Sequence, residues 1–353
     1  DVVPVTDTFY VAVAGHDRQN NTVAKLAISR YSMFLNDEPI FSFVPDKVPF
    51  DKGRYINSIV EYSEKQESGI SMVKSRVEPG GDLKTNIVSQ QDGLFILRDN
   101  KVHVVKIKLE DEHGNSSERR IKVRRDTTLN MTNRTDSSRF LNGIIMPWFL
   151  PNRFESEGIR FMLPPGALYS SILFSADTVR KNLNGNGDGK IIWRVHSSHT
   201  PIHNPARLAL RSPYSDSLSS KALIAIIDEK GRISSAGGKF NNGWIETFTG
   251  SFGNFTVLLD TIKPNIVSSF REGANLSGRG NIRFTISDNL SGVKDYRVTI
   301  DGKWILTSYD PKNKRLEVEL KGDKIKKGVK HTLELRVTDN KENENIYKTS
   351  FIW

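Results

Sequence analysis

Residues His103–Val123 (HVVKIKLEDEHGNSSERRIKV) and His331–Phe351 (HTLELRVTDNKENENIYKTSF) follow one pattern. Each starts with a histidine, after which apolar and polar residues alternate up to an Asp that is followed four residues later by an Asn. Alternation on both sides of a polar turn predicts a β-hairpin with one buried face. Because the pattern occurs twice, we expect a duplicated β-module.

The remaining sequence fits a string of such modules. At 353 residues the chain is too long for one ordinary core. Short alternating segments, separated by turn residues, favour an all-β chain of tandem immunoglobulin- or fibronectin-like β-sandwich modules. We place the modules at 1–125, 126–260 and 261–353, and a polar linker, 126–142, begins the second.

One stretch of the first module departs from the strand pattern. In RYINSIVEYSEKQ (54–66) the apolar residues recur at helical spacing. We therefore expect one short helix at about 53–66, which closes an open end of the first sandwich. Asn36-Asp37-Glu38 and Asp301-Gly302 are predicted hairpin turns.

Composition limits the partners and the compartment. The chain has no cysteine, so it has neither disulfides nor thiolate metal ligands. It has no apolar run long enough to span a membrane, and its start at Asp1 suggests a processed or truncated chain. The net charge is +10, but the basic residues are dispersed along the sequence, so we expect no nucleic-acid partner.

Three histidines are candidate metal ligands. His196, His199 and His203 lie in HSSHTPIH, a spacing that zinc sites use. In an extended segment, however, the first two rings point to opposite faces, and Pro201 follows directly. We favour a polar loop without a metal.

Other polar motifs favour structural roles. His103 and His331 hold equivalent positions, so we predict framework contacts at the start of a strand. NGNGDGK (184–190) resembles a calcium loop but lacks the required Glu at position 195, and we read it as a hairpin tip. SDNLSG (287–292) either holds an ion or caps a turn, and we favour the turn.

The tryptophans separate into core and contact candidates. Trp193, Trp244 and Trp304 lie in alternating strands and are predicted core residues. Trp148 lies with Phe149 in IIMPWFLP (144–151), an apolar loop between prolines. If this loop is exposed, Trp148 and Phe149 are the best partner-contact candidates of the chain.

Five segments resemble a known family: RYINSIVEY (54–62), LPPGALY (163–169), IDGKW (300–304), YDPKN (309–313) and the final LRVTDNKENENIYKTSF (335–351). They are similar to the region that follows the catalytic domain in lysostaphin-type (LytM-like) zinc metallopeptidases of Bacteroidota, which are cell-wall enzymes. The resemblance covers essentially the whole chain. It implies β-sandwich accessory modules of an exported protein, located in the periplasm or at the outer membrane.

The zinc motifs of that family do not occur in this chain. The family binds zinc through His-x-x-x-Asp and His-x-His, whereas His16 is followed four residues later by Asn20 and no His-x-His is present. We therefore expect the catalytic domain to be missing, with no catalytic residue and no cofactor in this chain.

Three functional hypotheses remain. The first is a non-catalytic region that positions a peptidase domain or docks on an envelope protein complex. The second is a binding module for peptidoglycan or another anionic envelope glycan, since a net positive charge favours such polymers. The third is an enzyme whose site is assembled from scattered residues.

Overall fold

The fold was analysed in a computed structural model. Strands dominate the chain and its helices are short, which confirms the predicted all-β class. No helix within the described part of the chain is long and apolar enough to cross a bilayer. The structure describes residues 1–18, 23, 25–46, 48–83, 86–129, 143–183, 189–320 and 325–353.

The first module is built on one large sheet. Its strands are β1 (Val2–Val5), β2 (Thr8–Phe9), β3 (Ala12–Val13), β4 (Asp17–Arg18), β5 (Lys25–Leu26), β6 (Arg30–Leu35), β7 (Glu38–Phe43), β8 (Val73–Lys74), β9 (Ile87–Ser89), β10 (Phe95–Ile96), β11 (Val102–Glu110) and β12 (Ser116–Arg125). The six-stranded sheet has the order β1-β12-β11-β6-β7-β9. Three two-stranded ladders, β2–β10, β3–β8 and β4–β5, complete the module.

One face of this sheet forms the core of the first module. Met33, Val105 and Ile107 point to that face and are at most 6% exposed. The β2–β10 ladder contributes to the same core, and its Phe9 and Phe95 rings stack at 5.4 Å. The alternation seen in the sequence is therefore the alternation of core and solvent faces.

The predicted helical stretch of the first module consists of short turns. Val60 interrupts it because its backbone is extended (φ −81°, ψ 141°) and forms a bridge with Val73. Ile59 lies in the core of the first module. The helices are a 3-10 turn at Phe50–Tyr55, α1 at Ile56–Ile59, α2 at Tyr62–Ser68 and a 3-10 turn at Gln91–Gly93.

The second module is a sandwich of two five-stranded sheets. Its elements are β13 (Ile144–Met146), β14 (Asn152–Ser156), β15 (Ile159–Leu163), β16 (Ile172–Phe174), β17 (Ala176–Lys181), β18 (Lys190–Val195), β19 (Pro201–Arg211), α3 (Asp216–Ser219), β20 (Ala222–Ile227), β21 (Ile233–Gly237), β22 (Lys239–Asn241), β23 (Trp244–Ser251) and β24 (Gly253–Leu259). The sheets have the orders β14-β15-β19-β23-β22 and β17-β18-β24-β20-β21. Phe161 and Leu208 of one sheet share a core with Ile224 and Phe255 of the other, all 0% exposed.

The third module is a sandwich of a four- and a five-stranded sheet. Its strands are β25 (Asn265–Ser268), β26 (Ala274–Asn275), β27 (Asn281–Ser287), β28 (Val293–Ile300), β29 (Lys303–Ile305), β30 (Thr307–Asp310), β31 (Arg315–Glu319), β32 (Lys330–Asp339) and β33 (Glu344–Ile352). The sheets have the orders β25-β27-β31-β30 and β26-β33-β32-β28-β29. Phe284 and Leu316 meet Leu335 and Phe351 in the core.

Both duplicated hairpins form, and in the same register. β11 pairs with β12 so that His103 is opposite Val123, and β32 pairs with β33 so that His331 is opposite Phe351. In each module the second strand of the hairpin is flanked by a short parallel strand, β1 beside β12 and β26 beside β33. The duplication thus includes a short parallel strand that pairs with the last residues of the hairpin.

The turns of the two hairpins are also the same. Asn115 N and Nδ2 donate to the two carboxylate oxygens of Asp111 at 2.9 and 2.7 Å. Asn343 N and Nδ2 donate to Asp339 at the same distances. The first turn is exposed, whereas Asp339 and Asn343 are 0% and 9% exposed because the third module buries them against the second.

Candidate functional site

The predicted contact loop is exposed. Phe149 and Leu150 are 57% and 46% exposed, while the Trp148 ring is half-buried and packs against the core of the second module. Phe149 meets Trp148 edge-on, with ring centroids 5.7 Å apart. Trp148 therefore anchors the loop to the core, and Phe149 is exposed to solvent.

The strand before this loop and the strand paired with it also expose apolar side chains. β13 and β16 form a separate two-stranded ladder in which Ile145 is opposite Leu173. Met146 and Phe174 face the core and are 1% exposed, whereas Ile145 is 75% and Leu173 45% exposed. We use the term apolar loop for Ile145, Phe149, Leu150 and Leu173 together.

Backbone contacts fix the shape of the apolar loop. Asn152 Nδ2 donates to Pro147 O and to Leu150 O, both at 2.9 Å. Gly166 N, in the turn predicted at LPPGALY, donates to Trp148 O at 3.1 Å. The exposed apolar side chains are thus carried by an ordered segment, which lowers the entropy that a partner must remove on binding.

The outer face of the first sheet is basic. The register places Lys106 opposite Arg120, Val104 opposite Lys122, and Val102 opposite Arg124. Lys106 is paired with Asp37 at 2.6 Å, whereas Lys122 and Arg124 have no acidic partner among the residues that the structure describes. The sequence interpretation of dispersed charge missed this face. Its signal is a run of basic residues at alternate positions in parts of the two strands. Lys106 and Lys108 belong to β11, and Arg120, Lys122 and Arg124 belong to β12; we call these five residues the basic face. Lys108 and Arg120 have acidic partners on the same face, Glu110 at 2.9 Å and Glu118 at 3.8 Å.

His196 and His199 make separate contacts. His196 is 8% exposed, its Nε2 lies 3.0 Å from Thr200 Oγ1, and its ring packs against Phe252 at 4.8 Å. His199 Nε2 lies 2.9 Å from Glu229 Oε1 but is not aligned for a hydrogen bond. Both rings stabilise the loop between β18 and β19.

His203 lies at the junction between the first and second modules. Its ring stacks on Tyr55 at 4.0 Å, and its Nδ1 lies 3.1 Å from Tyr169 Oη. Burial lowers the pKa of His203, and the Arg54 guanidinium lowers it further. Among the described residues, no group of potential metal ligands contains His196, His199 or His203.

The predicted helical stretch of the first module also contributes to this junction. Arg54 Nη2 donates to Ile202 O at 3.1 Å, and Tyr169 Oη donates to Arg54 O at 2.8 Å. Gly80 N donates to Tyr169 O at 2.7 Å. The expectation that this stretch closes an open end of the first sandwich is therefore only part of its role. Arg54 and Tyr55 also attach the first module to the second.

His103 and His331 hold neighbouring turns, as predicted for framework contacts. His331 is 2% exposed, and its ring nitrogens contact Asp301 Oδ2 and Lys326 O at 2.6 and 2.7 Å. His103 contacts Asn36 Nδ2 and Asp99 Oδ1 at 2.7 and 2.8 Å. Both rings attach the start of a strand to a turn.

Of the two polar turns predicted at NGNGDGK and SDNLSG, the structure describes only the second in full. Residues 184–188 of NGNGDGK lie outside the described residues. In SDNLSG, Asp288 Oδ2 accepts hydrogen bonds from Leu290 N at 3.0 Å and Gly292 N at 2.8 Å, which is the predicted capped turn. The second oxygen of Asp288 takes no part in it.

The tryptophans are only partly core residues. Trp244 is 7% exposed, with the Arg160 guanidinium 4.0 Å above its ring, and Trp193 is half-buried. Trp304, by contrast, is 49% exposed, so the prediction that it belongs to the core is wrong. The short strand β29 buries Ile305 instead, which leaves Trp304 on the solvent face.

Comparison with known proteins finds a similarity within the second module. A family model described as a Zu5-like domain matches residues 144–260, from the first residue of β13 to Asp260. No curated protein matches the chain.

Solved structures similar to the chain are remote. SGBP-B of the Bacteroides ovatus mixed-linkage glucan utilization locus, solved with a heptasaccharide, has 10% identity and a TM-score of 0.16. The alignment covers 99% of this chain, which spans 64% of that protein. PorU from Porphyromonas gingivalis has 10% identity and a TM-score of 0.19, with 99% of this chain and 32% of PorU covered. The protocadherin PcdhgB3 EC1-4 has 10% identity and a TM-score of 0.19, with 99% and 72% covered.

Proposed function

We propose that this chain is a non-catalytic region of an exported cell-envelope protein and that it docks on another envelope protein through the apolar loop. The apolar loop carries the proposal, because it exposes Phe149 and Ile145 on an ordered segment. Exposed apolar side chains that are concentrated in one segment mark protein-binding surfaces. Aromatic residues contribute most to such interfaces when they are buried at their centre.

The wider setting of the proposal comes from the sequence resemblance. Accessory modules of lysostaphin-type cell-wall peptidases are exported, and they lie beside a catalytic domain whose zinc motifs do not occur in these 353 residues. In this setting the modules position a peptidase domain or attach it to an envelope complex in the periplasm or at the outer membrane. The fixed junction between the first and second modules suits a spacer, because it maintains the orientation of the apolar loop.

The experiment is a pull-down from detergent-solubilised envelope with the whole chain as bait. The double variant Ile145→Ser/Phe149→Ser removes the two most exposed apolar side chains of the apolar loop. Phe248→Ser is the matched control, since Phe248 is 71% exposed on β23 of the same module. We expect the double variant to lose the captured protein and the control to retain it, with unchanged thermal unfolding of both. Equal capture by wild type and double variant contradicts the docking site.

The basic face supports a second candidate function, which is binding of an anionic envelope glycan. Lys122 and Arg124 lie on the same face of β12 and are exposed. Cations without a local acidic partner attract polyanions at a range that salt shortens.

Retention on purified sacculi distinguishes the two functions. Lys122→Gln/Arg124→Gln removes two charges from the basic face, and Lys263→Gln/Arg271→Gln removes two exposed charges elsewhere. Glycan binding predicts salt-sensitive retention that only the first variant loses. Retention that is insensitive to salt, or equally reduced in both variants, contradicts it.

A further inference from the structure

Three carboxylates meet at the junction between the second and third modules. Asp260 follows β24, Asp288 follows β27 and Asp339 ends β32, and one oxygen of each lies within 4.8 Å of the others. Asp260 is 1% and Asp339 0% exposed. Charged carboxylates this close together, two of them buried, repel one another unless a cation or a proton balances them.

Two lysines near this cluster donate their hydrogen bonds to carbonyl and amide oxygens and not to the carboxylates. Lys341 Nζ donates to Gly238 O at 2.6 Å, and Lys221 Nζ donates to Lys341 O at 2.5 Å and to Asn343 Oδ1 at 2.9 Å. Within the described part of the chain, neither ammonium forms an ion pair with a carboxylate. The lysines therefore reduce the local negative charge without occupying the carboxylate oxygens.

Two oxygen atoms at this junction are enclosed and have no hydrogen-bond partner. They are Asp288 Oδ1 and Ser291 Oγ, both of which are inaccessible to solvent. Ser291 lies beside the cluster, because its backbone N donates to Asp260 Oδ2 at 2.9 Å. An enclosed polar atom without a partner is costly, and a native protein normally satisfies it with a ligand, an ion or water.

We propose that Asp260, Asp288 and Asp339 bind a hard divalent cation, Ca²⁺ or Mg²⁺, which ties the second module to the third. The available ligand atoms are all oxygens, and three of the side chains are carboxylates, which is the set that these two cations prefer over softer metals. Asp260 ends the second module, whereas Asp288 and Asp339 belong to turns of the third. A bound cation therefore joins the modules and supplies a partner to Asp288 Oδ1.

Titration of the metal-free chain tests the proposal directly. The whole chain is dialysed against EDTA and titrated by calorimetry with CaCl₂ and, in parallel, with MgCl₂ up to about 10 mM, since extracellular calcium sites bind at about 0.1–1 mM. We expect one saturable site and a thermal midpoint that rises with cation concentration, because binding to the folded state stabilises it. Saturation by either cation supports the site. Absence of saturable binding for both, with an unchanged midpoint, overturns it.

Two variants test the position of the site, because one should weaken cation binding and the other should strengthen it. Asp288→Asn keeps the acceptor of the turn but removes the charge, and we expect at least a roughly ten-fold loss of affinity. Lys341→Met removes a nearby positive charge and should tighten binding several-fold. Asp111→Asn is the control, because Asp111 forms the same hairpin turn as Asp339 in an exposed position. Binding that is unchanged in Asp288→Asn, or equally weakened in Asp111→Asn, contradicts the assignment.

Discussion

His331 Nδ1 lies 2.6 Å from Asp301 Oδ2, in the turn between β28 and β29. The first module repeats the arrangement with Asn36, whose Nδ2 lies 2.7 Å from His103 Nδ1. Asp301 and Asn36 both have positive φ values, 50° and 47°. Each also accepts, at 2.9 Å, a hydrogen bond from the backbone N of the residue after the histidine. The duplicated unit therefore includes the histidine, the neighbouring turn and the contact between them.

Replacement of the buried histidine should loosen the third module. His331→Ala removes the ring that contacts Lys326 O and Asp301 Oδ2, and we expect a loss of about 1–3 kcal/mol in the free energy of unfolding. Hydrogen exchange along β32 measures the local part of this loss. His103→Ala is the matched control, and its cost should be smaller because water reaches the half-buried His103 ring. Equal costs would contradict the contribution of burial.

The junction at His203 should weaken in mild acid. Burial and Arg54 lower the pKa of His203 from 6.5, so the unfolded chain takes up a proton at a higher pH than the folded chain. This contribution to stability is complete above pH 6.5 and is lost as the pH falls through the lowered pKa of the folded state. Thermal midpoints between pH 7.5 and 5 of wild type and His203→Phe, which keeps an aromatic ring on Tyr55, should diverge in acid. Parallel curves would contradict the prediction.

Gly93 should tolerate no side chain. Its φ is +73°, and a Cβ at this position would lie 1.8 Å from Ser75 O, a backbone atom that cannot move aside alone. Gly93→Ala should cost about 3 kcal/mol or more, since a clash with the backbone adds to the strain of the left-handed conformation. Gly114→Ala is the control for strain alone, because Gly114 has φ +84° with nothing within 4 Å, and about 1 kcal/mol is expected. Urea unfolding of both variants measures the difference.

Asn343 should contribute more than its counterpart Asn115. Asn343 Nδ2 donates to Asp260 O at 2.9 Å across the junction, and Asn343 Oδ1 accepts from Lys221. Asn343→Ala should cost about 2–3 kcal/mol because it leaves several buried groups unpaired. Asn115→Ala, in the exposed turn, should cost about 1 kcal/mol or less. Calorimetric unfolding gives both values, and similar costs would show that the contacts across the junction contribute little.

The sequence predicts those structural elements that residues close together in the chain determine. The hairpins at His103 and His331 follow from alternation and from an Asp and an Asn within one turn, so neighbouring residues contain the information. Trp304 shows the limit of such reasoning, because alternation places it in a strand without saying which face the short strand buries. The sequence likewise does not determine whether Phe149 is exposed, so its contact role follows only if the loop reaches the surface.

Contacts between modules could not be predicted. Arg54 and Ile202 are separated by 148 residues, and no local pattern marks either as a junction residue. Asp260, Asp288 and Asp339 come from three different turns, and each one alone has the appearance of an ordinary turn aspartate. The fold of the whole chain brings them together.

The short parallel strands β1 and β26 limit how the edges of the duplicated hairpins can pair with other molecules. The second strand of each duplicated hairpin would otherwise offer a row of free backbone groups to another molecule, and such edges promote aggregation. β1 covers four residues of β12, and its Pro4 has no backbone N–H to offer a further strand. β26 likewise pairs with Phe351 and Ile352 of β33. The last residues of both hairpins are therefore paired within the chain, and this part of each edge is not available as a template for another strand.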